Sequence, residues 1–88
     1  MKYTITRLCG GEAMLLIPRD VKINLNLETV ATNLSSQGME VHFDDMMIII
    51  KWMKMDVTLY ESGKIMFHPL KDDRAGIAYA NEIMDMIV

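Results

Sequence analysis

The sequence predicts an α+β domain: an antiparallel sheet with two helices packed on one of its faces. Three observations carry this. Val57, Leu59, Ile65 and Phe67 alternate with Thr58, Tyr60, Lys64, Met66 and His68 on either side of Glu61-Ser62-Gly63, the pattern of a β-hairpin. Two other stretches repeat their apolar residues at helical spacing: Leu27, Val30, Ala31 and Leu34, then Gly76, Ile77, Ala80, Ile83, Met84 and Ile87. The order of segments is strands, helix, several strands, helix, and with only two helices the simplest arrangement puts both on the same side of the sheet. Eighty-eight residues, about half of them apolar, make residues 1–88 one domain with one core.

Taken in order, Lys2 to Leu8 alternates and is rich in β-branched residues, so it reads as a strand. Cys9-Gly10-Gly11-Glu12 breaks it, and Ala13 to Ile17, stopped by Pro18, reads as a second strand returning as a hairpin. Asn24 or Asn26 caps a helix from Leu27 to about Gln37, with Gly38 placed for a left-handed C-terminal cap. Met39, Val41 and Phe43 alternate with Glu40 and His42 as a third strand ending at Asp44-Asp45. Met46 to Trp52 is apolar on both parities, as in a central strand covered on both faces. Trp52 is expected to be partly buried. After the hairpin, Pro69 stops its second strand, and Asp72 and Asp73 cap a closing helix whose outer side is Arg74, Tyr79, Glu82 and Asp85.

Composition narrows the function classes. Nine basic residues spread along the chain against twelve acidic ones leave a net charge of −3, which disfavours nucleic acid as a partner because such binders cluster Lys and Arg on phosphate. The single Cys9 cannot form an internal disulfide, and no basic-then-apolar leader opens the chain, so a cytoplasmic address is expected. The longest apolar run, Met46 to Ile50, is far too short to span a bilayer, and no membrane partner is expected. The ten methionines read chiefly as core fillers.

The helix opening Asn24-Leu25-Asn26-Leu27-Glu28-Thr29-Val30-Ala31, followed by the hairpin Val57-Thr58-Leu59-Tyr60-Glu61-Ser62-Gly63-Lys64-Ile65-Met66 and acidic residues at the next helix, resembles one half-repeat of the TATA-box-binding protein family. The resemblance covers about Leu25 to Ile83. It implies a curved antiparallel sheet with both helices on the convex face and the concave face open. In DNA-binding members two such halves in tandem form a saddle that grips a kinked minor groove. One half here implies a homodimeric saddle, with Tyr60 standing where a wedge phenylalanine is expected.

Alternation alone then defines an open face. If Val57, Leu59, Ile65 and Phe67 meet the helices, the interaction surface is His42, Met47, Ile49, Lys51, Met53, Thr58, Tyr60, Lys64, Met66 and His68, with Thr4, Thr6 and Glu40 beside them. That face is too apolar to stay bare. His42, His68 and Cys9 lack metal-ligand spacing, the paired aspartates sit where turns and caps want them, and no nucleophile has a base beside it. Neither a metal, a cofactor nor a catalytic residue is expected. The sequence thus predicts a small non-enzymatic interaction module that self-associates through its open face or an edge strand, its partner a second copy or another protein. The alternatives are nucleic-acid binding by a homodimeric saddle using Lys51, Lys54, Lys64, Thr58 and Tyr60, and small-ligand binding or an enzyme accessory role with His42 and His68 near a pocket.

Overall fold

The computed structural model describes residues 2–87. Within them the chain runs β1 (Tyr3–Leu8), β2 (Ala13–Pro18), α1 (Leu27–Ser36), β3 (Glu40–Asp44), β4 (Met47–Trp52), β5 (Met55–Tyr60), β6 (Ile65–His68) and α2 (Asp73–Ile87). The strands form one sheet ordered β1-β2-β6-β5-β4-β3, antiparallel at every step. Each connection within the two blocks β1-β2 and β3 to β6 is a short turn, as sequential antiparallel neighbours require. The blocks are joined where β2 pairs with β6, setting Met14 opposite Phe67 and Leu16 opposite Ile65. The expected N-terminal hairpin is present, closed by a turn at Cys9–Gly11 whose three residues all have positive φ, and Pro18 is the last residue of β2 rather than the residue after it.

Both helices lie on the same face. Leu27, Val30 and Leu34 of α1 and Ala80, Ile83 and Met84 of α2 share one core with Met14 and Leu16 of β2, Ile48 and Ile50 of β4, Val57 and Leu59 of β5, and Ile65 and Phe67 of β6. α1 begins as the sequence predicts: the Asn26 side chain accepts from the Thr29 N–H at 3.1 Å, and Gly38 follows the helix in the left-handed region. Asp72 caps α2 by accepting from the Arg74 and Ala75 N–H groups at 2.9 and 3.3 Å. The Arg7 guanidinium donates to the Lys71 carbonyl and to Asp73, and the Leu70 N–H donates to the Glu12 carbonyl, so the start of α2 is tied to the β1-β2 hairpin. The Gln37 side-chain amide donates to the Met86 carbonyl at 3.2 Å and ties the far ends of the helices together.

Several expectations are corrected. β4 is second from the edge, and the middle of the sheet is β6 and β5. Within α2, Ile77 is 37% exposed and lies off the buried stripe, whereas Tyr79, expected on the outer side, is packed against the core. It meets Trp52 edge-to-face at 5.3 Å and Phe67 at 6.1 Å, so the apolar stripe turns further round the helix than the aliphatic residues indicate. Trp52 itself is partly buried on the helix side, as expected. Of the methionines, Met14, Met55 and Met84 are core residues, while Met46 and Met53 are among the most exposed large apolar side chains.

Gly76 of α2 lies against β2, and a Cβ there would run into Met14 Sδ with Leu70 and Leu16 behind it. Alanine inside a helix usually gains up to about 1 kcal/mol over glycine. Gly76→Ala is nevertheless expected to lower stability by about 1 kcal/mol in urea unfolding, because overpacking a filled core outweighs the propensity gain. Tyr3 supplies a second check. Its hydroxyl is buried with no hydrogen-bond partner among the described residues, and burial, with Asp85 adding to it, raises its pKa. The folded state therefore holds the phenol proton more tightly than the unfolded chain does. This contribution is complete below the ordinary tyrosine value of about 10 and is lost as pH rises through the folded value. Melting temperatures measured from pH 8 to 11.5 should fall at the alkaline end in the wild type and less in Tyr3→Phe, which should cost under about 1 kcal/mol at pH 7 because no hydrogen bond is removed.

Candidate functional site

With both helices on one side, the other face of the sheet carries no second layer among the described residues. Its side chains fall into rows set by the strand registers. The middle row crosses all six strands as Thr6, Leu15, Met66, Thr58, Ile49 and His42. Beside it run Thr4 with Ile17, and Tyr60, Met47 and Asp44. On the other side lie His68, Asp56, Lys51 and Glu40, with Lys51 between the two carboxylates.

The centre of this face is apolar, and its margins are polar. Leu15, Ile17, Met47, Ile49 and Met66 are half-buried, and Thr58, flanked directly by Ile49 and Met66, is only 6% exposed. Threonines on β1, His42 and Asp44 on β3 and the charged row frame them. An apolar centre inside a polar rim is the anatomy of a protein interface. Within the charged row the Lys51 ammonium bonds Asp56 on the neighbouring strand; this hydrogen bond, the Asp56 charge and, more weakly, Glu40 raise its pKa.

Eight of the ten expected surface residues, His42, Met47, Ile49, Lys51, Thr58, Tyr60, Met66 and His68, do share this face. Thr58 is on it but covered by its neighbours. Met53 and Lys64 are not on strands: Met53 is in the β4-β5 turn, and Lys64 in the β5-β6 turn at the opposite end of the sheet. The alternation was carried past the strand ends in both cases. Leu15 and Ile17, which complete the apolar centre, were not expected there. Ala13 to Ile17 is apolar on both parities, the same signal that marked β4, and it could have placed β2 inside the sheet rather than at its margin.

His42 and His68 are three strands apart, roughly 14 Å at the usual spacing, and exposed Cys9 lies in the β1-β2 turn. Among the described residues no group of three or more His, Cys, Asp or Glu is placed to hold a metal ion. No helix there is long and apolar enough to cross a membrane. Lys51 and Lys54 border one hollow with Asp56 and His68 at the β4-β5 end, where Lys51 is paired with Asp56, and Lys64 lies at the opposite end of the sheet. The largest apolar groove near the face, about 470 Å³, lies between the β2-α1 crossing segment and the β5-β6 turn, lined by Ile23, Asn24, Met46, Met47, Tyr60 and Glu61. It is closed on one side by the hydrogen bond from the Leu25 N–H to the Glu61 carbonyl at 2.8 Å and by Ile23 packed over Gly63.

Compared with known proteins, the chain matches no family model, no curated protein and no solved structure.

The β4-β5 turn carries its own cost. Met53 and Lys54 are its two loop residues, between the opposed Trp52 and Met55, and both have positive φ, +49° and +63°. Two-residue hairpin loops of this type favour Asn-Gly, and left-handed backbone at residues with a Cβ is strained. Replacing Met53→Asn together with Lys54→Gly is expected to stabilise the fold by about 1–2 kcal/mol, read as a melting temperature several degrees higher by circular dichroism.

Proposed function

We propose that this chain is a small non-enzymatic interaction module that binds protein through the open face of its sheet, and that self-association is part of how it works. The observation that carries the reading is the half-buried apolar part of the middle row, Leu15, Met66 and Ile49, over which no helix lies among the described residues. Such a strip of apolar surface, framed by threonine and by charge, gains free energy when a second surface displaces its water. The likeness to a half-repeat of the TATA-box-binding protein family belongs to this proposal. Helix α1 opening at Leu27, the meander β3 to β6 and closing helix α2 follow the order that the likeness implies, and β1 and β2 lie outside the stretch it covers. A nucleic-acid role draws less support, because Lys64 lies at the opposite end of the sheet from Lys51 and Lys54, and Lys51 is paired with Asp56.

Two readouts test the reading. An environment-sensitive apolar dye should bind the wild type, and Ile49→Lys with Met66→Lys should reduce its fluorescence several-fold while far-UV circular dichroism stays unchanged. Light scattering over a dilution series should give a mass above the 10.1 kDa of one chain, little altered by salt. Equal dye binding by the double variant would dismiss the open face as the binding surface. Tight binding of mixed-sequence DNA that collapses with added salt would favour the nucleic-acid alternative.

A further inference from the structure

The sheet ends in two edges of unlike character. β3, at one edge, carries Glu40 and Asp44 at its two ends. If β3 paired antiparallel with a copy of itself along its full length, about His42, Glu40 would face Asp44 of the copy, and like charges directly opposite one another are destabilising. β3 is thus protected against self-pairing by its own side chains. β1, at the other edge, has none of the usual protections. Tyr3-Thr4-Ile5-Thr6-Arg7-Leu8 contains no proline, glycine or acidic residue, and its one charge, Arg7, is turned aside on the helix face to Asp73 and the Lys71 carbonyl.

The hydrogen-bond phase of β1 can be read from its partner strand. The Arg19 N–H donates to the Lys2 carbonyl at 2.9 Å, and these residues stand directly opposite each other in the register that sets Tyr3 against Pro18. In an antiparallel ladder, bonded and non-bonded pairs alternate. Thr4 and Thr6 therefore turn their backbone groups to β2, while Tyr3, Ile5 and Arg7 turn theirs to the free edge. Pro18, opposite Tyr3, falls where β1 asks for no donor.

From this we propose that the partner in self-association is a second copy of the chain, joined β1 to β1 in antiparallel two-fold pairing centred on Ile5. This centre alone engages the outward groups of all three residues, in about six hydrogen bonds. It places Tyr3 opposite Arg7 of the copy on the helix side and Thr4 opposite Thr6 of the copy on the open face, a favourable cross-strand pair. The two sheets become one, and the middle row Thr6, Leu15, Met66 continues into its counterpart as a wider platform. The inference deepens the reading of a self-associating module and rests on it, but it assigns the joint to the edge and leaves the open face free.

The test uses exposed positions. Thr4→Lys with Thr6→Lys in one chain, and Thr4→Glu with Thr6→Glu in another, each place like charges opposite one another across the proposed joint. The wild type should show twice the mass of one chain at high concentration by light scattering, each variant alone the mass of one chain, and an equimolar mixture of the two should regain the doubled mass. Recovery on mixing separates a broken joint from a broken fold. Concentrating the wild type should also slow amide exchange at Tyr3, Ile5 and Arg7 by about tenfold or more, with Thr4 and Thr6 little changed. A wild type that stays monomeric throughout, a dimer that survives both charged variants, or protection at Thr4 and Thr6 instead would overturn the edge pairing. The dye readout of Ile49→Lys with Met66→Lys moves with none of these, so the open-face reading stands or falls separately.

Discussion

Everything in this molecule depends on the pairing of β2 with β6. It joins an N-terminal hairpin to a C-terminal meander across most of the chain length, with Met14 against Phe67 and Leu16 against Ile65. Without it, β1 and β2 would be an isolated two-stranded hairpin, which is marginal in water, and the side chains of Met14 and Leu16 would have nothing to pack on. With it, those side chains are fully buried under α2 and close one core. The same pairing places Leu15 beside Met66 on the other face, so one contact between distant segments sets both the core and the open surface. Such a pairing incurs a loop-closure entropy that its burial must offset, which makes it the natural late step of folding.

The second constraint is that two helices cover only one side. The chain supplies apolar residues to both faces of β2 and β4, but helical segments to only one. The surplus is the open face. Its organisation follows from cross-strand geometry: an apolar strip in the middle, a polar line of His68, Asp56, Lys51 and Glu40 beside it, and threonine or acid toward the edges. The two edges divide the same way. Acidic residues guard β3, whereas β1 offers unblocked backbone groups and β-branched side chains.

Much of this was legible in the residues. The alternation around Glu61-Ser62-Gly63, the Asn26 cap and the Asp72 cap are local, and local chemistry is what sequence periodicity reports. The open-face residues on β4, β5 and β6 were legible for the same reason, because parity is preserved along a strand. Met53 and Lys64 were misplaced where strands give way to turns, and the Met53-Lys54 loop lacks the Asn-Gly that would have announced it. Tyr79 was assigned to the outer side because it falls off the aliphatic stripe, whereas Trp52 and Phe67 draw it inward.

The sequence by itself determined the α+β class, the strand and helix segments, the capping residues and which parity of every strand but β2 faces the helices, since all of these arise from contacts among near neighbours. Only the tertiary structure decided that β2 lies inside the sheet, that β4 stands next to an edge, that Leu15 and Ile17 complete the apolar face, and that β1 and β3 are the exposed borders. Those are choices among antiparallel neighbours that local preferences leave equivalent. They are resolved by which pairing lets Met14, Leu16, Ile65 and Phe67 share one buried core beneath the two helices.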